Sequence, residues 1–414
     1  MTNYAAHPAD APGMDFMPFQ NPYLENPFPF LTRYREEKPA FFSPIVNMWI
    51  VSRYEDVQNI LKDPQRFSSR EAFAAPAHLS PATLRMLDNT MFTSEAGGLV
   101  MADPPVHTRL RRAITNTFTH KRVLQLEGQI RELATKLVDA FPAEGPIDFV
   151  NGFSRPLPVL AICRLIGMPD ADSEWIRTST DDLAVLLTQA LPEEEQQKRA
   201  QLYLDLFKYM GDLLQQRKAA PRDDLATALQ NNDQDQLNTD ELIELLITLL
   251  TAGIASTTHF LSACMLQLVQ HGTWETLDPN SDQLARVVEE ALRLVSPIHG
   301  IFRTAKQDVE IGGVTIPAGS MIYGLLSSAN RDERQFHNPE VFDLQRDNTN
   351  RHMVFGYGIH YCAGAPLVRL ESRVALEVLR QRLPRLRLAE NHPPIIYTPG
   401  LLLRGIENVF IERA

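Results

Sequence analysis

The sequence has few of the features that mark a disulfide scaffold, a nucleic-acid-binding protein or a secreted protein. Its 414 residues contain only three cysteines, which are widely spaced and form no Cys-x-x-Cys pair, so neither a disulfide framework nor a structural zinc site is expected. The formal charge of −11 argues against nucleic-acid binding, which needs a basic footprint. The first residues show no basic stretch followed by an apolar run, so we expect no signal peptide and a cytoplasmic location.

The long apolar stretch 245–269 also lacks charge, since it contains no Asp, Glu, Lys or Arg. Its length alone would allow it to cross a bilayer. The flanking segments are acidic or polar, whereas a membrane helix usually has basic flanks. A helix that is apolar all round in a large chain is normally part of the core, so we expect no membrane association here.

Helical periodicity dominates from residue 105 to residue 294, and strand signals occur in 41–53 and 309–330. The letters IGG at 311–313 predict a hairpin turn. Residues 70–100 have weak periodicity and several Pro and Gly, which predicts a long loop, often functional in compact domains. The expected organisation is a flexible segment over 1–20 and a single, mainly helical domain with a minor sheet over 21–414.

Cys362 lies between a glycine-containing turn and a long amphipathic helix, and three interpretations compete for it. It could be a small buried residue, as free Cys usually is, or a catalytic thiol with His360 as its base. It could also be a thiolate metal ligand, because a helix N-terminus stabilises a thiolate and because Gly358 and Gly364 leave room for a flat cofactor. A lone cysteine ligand requires the other metal positions to be filled by something else, and a porphyrin does this.

The pattern Phe355-x-x-Gly358-x-His360-x-Cys362-x-Gly364 resembles the haem-binding loop of the cytochrome P-450 superfamily. The resemblance extends from about residue 21 to the C-terminus and is nearest to soluble bacterial members. It implies a mainly α fold with minor β structure, in which haem b lies between a long central helix and the cysteine loop. It also implies that Cys362 binds the iron and that the other four residues of the pattern contact the haem.

Two further motifs agree with the resemblance. Glu290 and Arg293 are three positions apart on one predicted helix and could be an ordinary surface pair. In the family, Glu-x-x-Arg is a buried structural pair that precedes the haem loop, so we expect it to stabilise the fold without binding substrate.

A set of cationic residues matches the family's partners of the haem propionates. His107 and Arg111 lie four apart and therefore share a helix face, which alone would indicate only a solvated basic surface. The resemblance implies that these two residues, with Arg303 and His352, hold the propionates, and the planar fork of Arg suits a carboxylate.

The uncharged run corresponds, in the resemblance, to the helix that crosses the distal haem face. Ala252 and Gly253 fit close approach of a flat ring. The family usually has an acid followed by an alcohol at the next positions, where they help to deliver protons. Here Ala255 replaces the acid, whereas Ser256 keeps a hydroxyl, and Thr257 could act only if the helix register shifted. Either water or a substrate group replaces the acid, or the reaction differs from plain hydroxylation.

The expected activity is that of a monooxygenase-type oxidoreductase acting on a small, natural-product-like molecule by hydroxylation, coupling or rearrangement. Electrons would come from a separate ferredoxin and its reductase, with dioxygen as co-substrate. Two alternatives are a peroxide-driven haem enzyme without a redox partner and a haem-binding sensor or carrier without turnover.

The expected pocket walls include the loop 72–100 and several positions that are mostly apolar, as in other binding pockets. His299 is the exception, and it could equally be a polar turn residue bonded to the protein. The candidate substrate contacts are Leu186, Ala255, His299, Ile301, Leu401 and Leu402.

Overall fold

The computed structural model describes residues 13–72, 79–93, 98–232, 237–279 and 281–414. About 53% of the chain is helical. The helices are α1 (Phe28–Glu37), α2 (Tyr54–Lys62), α3 (Pro81–Met86), α4 (Gly98–Met101), α5 (Val106–Thr117), α6 (His120–Gln125), α7 (Glu127–Asp139), α8 (Pro156–Ile166), α9 (Ser173–Thr188), α10 (Glu193–Ala219), α11 (Leu225–Gln230), α12 (Thr239–Gln270), α13 (Ser281–Val295), α14 (Leu326–Ala329) and α15 (Ala365–Arg382).

The strands are short, and most belong to small sheets. They are β1 (Ala40–Ser43), β2 (Met48–Val51), β3 (Phe67–Ser68), β4 (Ile147–Asp148), β5 (Ile301–Ala305), β6 (Val309–Ile311), β7 (Val314–Ile316), β8 (Met321–Gly324), β9 (Leu386–Leu388), β10 (Tyr397–Thr398), β11 (Gly405–Ile406) and β12 (Phe410–Arg413). Backbone contacts divide the chain into two compact units. The first unit comprises Met1–Ala72, Glu290–Tyr361 and Ile396–Glu407, and the second comprises Phe73–Glu289, Cys362–Ile395 and Asn408–Ala414.

The first unit contains a five-stranded sheet in the order β1-β2-β8-β5-β3. Strands β2 and β8 are parallel and the other neighbours are antiparallel. The predicted hairpin is confirmed: β6 and β7 pair around Gly312 and Gly313, whose φ angles of 60° and 83° lie in the region that favours glycine. Apolar residues of the sheet and of α2 form the buried core of this unit.

The second unit is built around α12, against which α8, α9, α10 and α15 pack. A capping box begins this helix: the Asn238 side chain accepts the Glu241 N–H, and the Glu241 carboxylate accepts the Asn238 N–H. Its 32 residues include the uncharged run, most of which is buried by neighbouring helices. By length and composition α12 could cross a membrane, the one such helix in the described part of the chain, and 56% of its most apolar window is buried inside the protein.

The predicted alternation of helix and strands is largely confirmed, with one local error. The prediction of a continuous loop over 70–100 is wrong where α3 and α4 form. Pro81 can occupy the first helical turn, and the Ser80 side chain caps the helix by accepting the Thr83 N–H at 3.1 Å. Residues 73–78 and 94–97 of this predicted pocket wall lie outside the described residues, and so does most of the segment 1–20. The single domain expected over 21–414 stays a prediction.

Candidate functional site: the cysteine segment and the central helix

Cys362 lies three residues before α15, in the second unit. Burial raises the pKa of its thiol, but the backbone N–H groups of Gly364 and Ala365 donate to the sulfur and oppose this shift. The positive charge of Arg111 acts in the same direction as these N–H groups. The N-terminal end of a helix and a nearby cation both favour a thiolate, so this position suits a metal-bound sulfur.

Arg111 lies on α5, and its charge interacts with that of Cys362. Burial lowers the pKa of its guanidinium, and the negative charge of Cys362 opposes that change. His107 lies one turn earlier on the same helix and is buried, with 2% of its surface exposed. Because residues four apart share a helix face, α5 presents both groups in one direction.

Within the described residues, no cluster of three or more His, Cys, Asp or Glu side chains could hold a metal ion. A metal bound at Cys362 would therefore need its remaining ligands from a non-protein group, as a porphyrin provides. Gly364 lies beside the sulfur: a Cβ built there would be 3.6 Å from it, an ordinary van der Waals contact. The residues of the second unit thus fit a haem-thiolate group.

The middle of α12 has an open strip of small residues. Ala252 is exposed, Gly253, Ala255 and Ser256 are partly exposed, and Thr257 is buried. A Cβ added at Gly253 would meet only the Ile162 side chain, at 3.8 Å. Small residues at these positions permit close approach of a flat group.

The Ser256 hydroxyl donates to the Ala252 carbonyl oxygen at 2.7 Å, a bond that leaves its oxygen lone pairs available. Thr257 points away from this face, since only 2% of its surface is exposed. Leu186, from α9 in the same unit, is also buried, at 1%. Of the two candidate hydroxyls, Ser256 is therefore the one on the open strip.

In the first unit, the turn before Cys362 requires glycine at position 358. The φ angle of Gly358 is 71°, and a Cβ there would collide with the carbonyl oxygen of Leu61. The ring of His360 is held by Ser69, whose Oγ lies 3.0 Å from Nε2. This contact spans 291 residues, and no sequence pattern points to Ser69.

Three other predicted haem contacts lie in the first unit. His352 and Phe355 are buried, with their ring centroids 5.7 Å apart. Arg303 is 7% exposed on β5, and its Nη1 donates to the Phe302 carbonyl oxygen at 2.7 Å. For these residues, the haem contacts that the resemblance implies stay predictions.

The Glu290–Arg293 pair is completely buried in the first unit. Two hydrogen bonds of 2.9 and 2.8 Å join the guanidinium to the carboxylate. Arg293 also donates to the carbonyl oxygens of Asn330, Pro339 and Val341. The pair therefore fixes the segment that leads to the cysteine turn, which is a structural role.

The third member of this network was not predictable from the sequence. Arg346, whose side chain is only 4% exposed, donates to Glu290 at 3.1 Å. It lies 56 residues further along the chain, beyond the reach of any helix spacing rule.

His299 is buried in the first unit, and protein groups engage both of its ring nitrogens. Nε2 lies 3.2 Å from the Tyr23 hydroxyl, and Nδ1 lies 2.8 Å from the Ser327 hydroxyl. Burial lowers the pKa of His299 to about 3, so the ring is neutral near pH 7. This arrangement favours the alternative of a polar residue hydrogen-bonded within the protein.

The remaining candidate substrate contacts also lie in the first unit and are partly exposed: Ile301, Leu401 and Leu402. The Leu402 carbonyl oxygen accepts the His299 N–H at 2.8 Å, which joins the C-terminal segment to the residues before β5.

Comparisons with known proteins give a consistent result. The family model for cytochrome P-450 matches residues 282–411. Mycinamicin IV hydroxylase/epoxidase of Micromonospora griseorubida is 39% identical over 363 residues, which cover 86% of this chain and 87% of that protein. Nocardicin C N-oxygenase of Nocardia uniformis is 36% identical, covering 94% and 96% of the two chains. The solved structure of cytochrome P-450 CREJ with (4-ethylphenyl) dihydrogen phosphate has a TM-score of 0.88 and 30% identity, and it covers 96% of this chain and 99% of that one.

Proposed function

Because the chain belongs to the cytochrome P-450 superfamily, we propose that it uses dioxygen to oxidise a small, natural-product-like molecule by hydroxylation, coupling or rearrangement. Membership confirms the predicted family, the mainly helical fold, the monooxygenase-type enzyme class and haem b as cofactor. Its relatives include enzymes named for natural-product hydroxylation, epoxidation and N-oxygenation, which supports this substrate class.

The surroundings of Cys362 support this proposal most directly. Cys362 would bind the haem iron through its thiolate, held by the N–H groups of Gly364 and Ala365 and by the charge of Arg111. When bound, the haem would supply the oxidising chemistry, and the Cys362 thiolate would donate electron density to its iron. The protein supplies position, exclusion of water and proton delivery.

The other haem contacts remain part of the proposal. In the second unit, His107 and Arg111 would hold a propionate, and Ala252 and Gly253 would face the ring. In the first unit, the proposed haem contacts are Arg303, His352, Phe355, Gly358 and His360.

Proton delivery is proposed to rest on the Ser256 hydroxyl. Its oxygen already donates its hydrogen to Ala252 O, so it can accept a hydrogen bond from water on the open strip and relay a proton by rotating. Ala255 offers no ionisable group at the preceding position. Ordered water or a polar group of the substrate would then complete the path.

The proposed electron donors are a separate ferredoxin and its reductase, and the proposed location is the cytoplasm. Because position 255 carries Ala and not an acid, one alternative is a peroxide-driven reaction, in which peroxide replaces dioxygen and the redox partner. The two routes differ in what they consume, so they can be separated by experiment.

The test adds to the haem-loaded protein the compounds named in three relatives, mycinamicin IV, nocardicin C and, from 6-deoxyerythronolide B hydroxylase of Saccharopolyspora erythraea, 6-deoxyerythronolide B, and follows the Soret band and the products. We expect at least one compound to shift the band and to be oxidised with NADH, a ferredoxin and its reductase. Product formed only with hydrogen peroxide, and not increased by the redox proteins, would establish the peroxide route instead.

A matched variant tests the role of Ala255. Ala255→Asp restores an acid on the same helix, and we expect a larger fraction of the NADH consumed to appear as product. Unchanged coupling, together with a plain alcohol as the native product, would exclude special chemistry at this position.

A further inference from the structure

A buried carboxyl group lies on α12, two turns before Ala252, and the proposed reaction does not use it. Glu244 is 8% exposed, and its Oε2 has no hydrogen-bond partner among the residues that the structure describes. The two positions are eight residues apart, which corresponds to about 12 Å along the helix axis. Glu244 thus lies on the same helix as the proposed distal strip but is not part of it.

This carboxyl joins three parts of the second unit. Its Oε1 accepts the backbone N–H of Met91 at 2.8 Å and also accepts the hydroxyl of Tyr203, from α10. The Phe92 ring packs edge-on against Tyr203, with the ring centroids 5.3 Å apart. One side chain of α12 therefore holds both α10 and the segment that contains Met91.

The segment Leu87–Thr93, here called the anchored segment, also contacts α10, because the Thr90 side chain and the Met91 N–H hydrogen-bond to Tyr203. Its internal bonds run from the Thr90 and Thr93 hydroxyls to the Leu87 carbonyl oxygen. Met91 and Phe92 are buried, at 8% and 7% exposure. Loss of the Glu244 bonds would remove the carboxyl acceptor of the buried Met91 N–H and leave only its weaker partner, the Tyr203 hydroxyl, which is destabilising.

Among the described residues, no cation contributes to the pKa of Glu244. Burial raises its pKa to about 7, Tyr203 and the Met91 N–H oppose the shift, and the charge of Asp240 adds to it. On the anchored segment the one charged group, Asp88, is exposed, and on α10 the group facing Glu244 is Tyr203. A carboxylate without a counter-charge is costly to bury, so ionisation favours entry of water and separation of the packed elements.

We propose that Glu244 is a positioning residue that fixes the anchored segment on α12 while its carboxyl is protonated and releases the segment when it ionises. The consequence for substrate rests on the proposed function, in which the anchored segment belongs to a wall of the binding pocket. Release would then loosen substrate binding as pH rises toward neutrality, without changing the bond-forming chemistry.

The test is hydrogen–deuterium exchange of the haem-loaded full-length protein, without substrate, at a series of pH values from about 4.5 to 8. After correction for intrinsic exchange, we expect the protection of the Met91–Thr93 amides to fall by tenfold or more as pH rises from about 4.5, the ordinary pKa of the carboxyl, to about 7, its pKa in the folded protein. Glu244→Gln keeps an acceptor oxygen but cannot ionise, so its protection should be independent of pH.

Two further variants move the transition in opposite directions, and they test the proposal even if Glu244→Gln does not fold. Tyr203→Phe removes a bond that lowers the pKa of Glu244 and should shift the transition to higher pH. Asp240→Asn removes a charge that raises this pKa and should shift it to lower pH. Protection that does not change with pH in the wild type, or that changes equally in Glu244→Gln, would overturn the inference. A transition of the expected kind in a protein that oxidises no substrate would leave the inference standing and contradict the proposed function.

Discussion

The segment around Cys362 and the middle of α12 lie in the same unit, but they control their chemistry by different means. At Cys362 the backbone largely determines the environment of the sulfur, because the N–H groups of Gly364 and Ala365 face it at the start of α15. In α12 the backbone is an ordinary helix, and the small side chains of Ala252, Ala255 and Ser256 determine what can bind and where a proton can be held.

The difference explains why one region follows the family pattern and the other departs from it. Backbone geometry restricts residue choice sharply, as at Gly358, where no side chain fits. A regular helix accepts almost any side chain, so its chemistry can change without loss of the fold. We infer that specific chemistry in this protein is set along α12, and that the cysteine segment supplies what the whole family shares.

The largest expected effect comes from Cys362→Ala. Removal of the thiolate should abolish the red-shifted Soret band of the reduced, carbon monoxide-bound protein and lower turnover by at least about a hundredfold, because the iron loses its electron-rich ligand. Absorption spectra and product assays measure both effects. Cys264→Ala is the control, since this cysteine is buried on α12 at 1% exposure and should retain the band.

The backbone side of the comparison can be tested with Gly358→Ala. Gly358 and Gly313 both have positive φ angles, 71° and 83°, but only at Gly358 would a Cβ collide with another chain segment. Gly313→Ala should cost about 1 kcal/mol of unfolding free energy from backbone strain alone, whereas Gly358→Ala should cost at least about 2 kcal/mol more. Chemical denaturation of both variants measures the difference. Equal losses would mean that the turn adapts and that the backbone does not impose glycine.

Substitution of His299 tests whether a polar group in a predicted substrate-binding segment contacts substrate or stabilises the fold. The pKa of His299, lowered to about 3, lies below its usual value of 6.5, so an unfolded chain takes up a proton first as pH falls. The stability that neutral His299 contributes is full above pH 6.5 and is lost progressively toward pH 3, at about 1.4 kcal/mol for each unit.

We therefore expect His299→Phe to remove this acid-sensitive component and to lower stability near neutral pH by about 1–3 kcal/mol, because Tyr23 and Ser327 lose their partner. Denaturation at several pH values checks this, with the exposed His271→Gln as control. Substrate affinity should not change, and a marked loss of affinity would restore His299 as a direct substrate contact.

Ser256→Ala should have the smallest effect on the fold, and it is the most informative variant for α12. The lost hydroxyl bond to the backbone should change stability by less than about 0.5 kcal/mol, while coupling of NADH use to product should fall several-fold. Ser262→Ala removes the same type of bond, from Ser262 to the Thr258 carbonyl oxygen at 2.9 Å, further along the helix. If both variants couple as well as the wild type, proton delivery does not depend on Ser256.

The parts predictable from sequence were those encoded by nearby residues. Helical spacing predicted the long helices, the pair Gly312–Gly313 predicted the hairpin, and the glycines and cysteine of residues 355–364 predicted the family. Tertiary partners were not predictable in this way. Ser69 meets His360 across 291 residues, and Tyr203 meets Glu244 across 41, and neither contact leaves a periodic signal in the sequence.

The central claim is that Cys362 binds haem iron as a thiolate. The most direct measurement is the absorption spectrum of the purified, reduced protein after addition of carbon monoxide. We expect the strongly red-shifted Soret band of thiolate ligation in the wild type and in Cys264→Ala, and its absence in Cys362→Ala. A wild-type protein that binds haem and carbon monoxide without this band would contradict the claim.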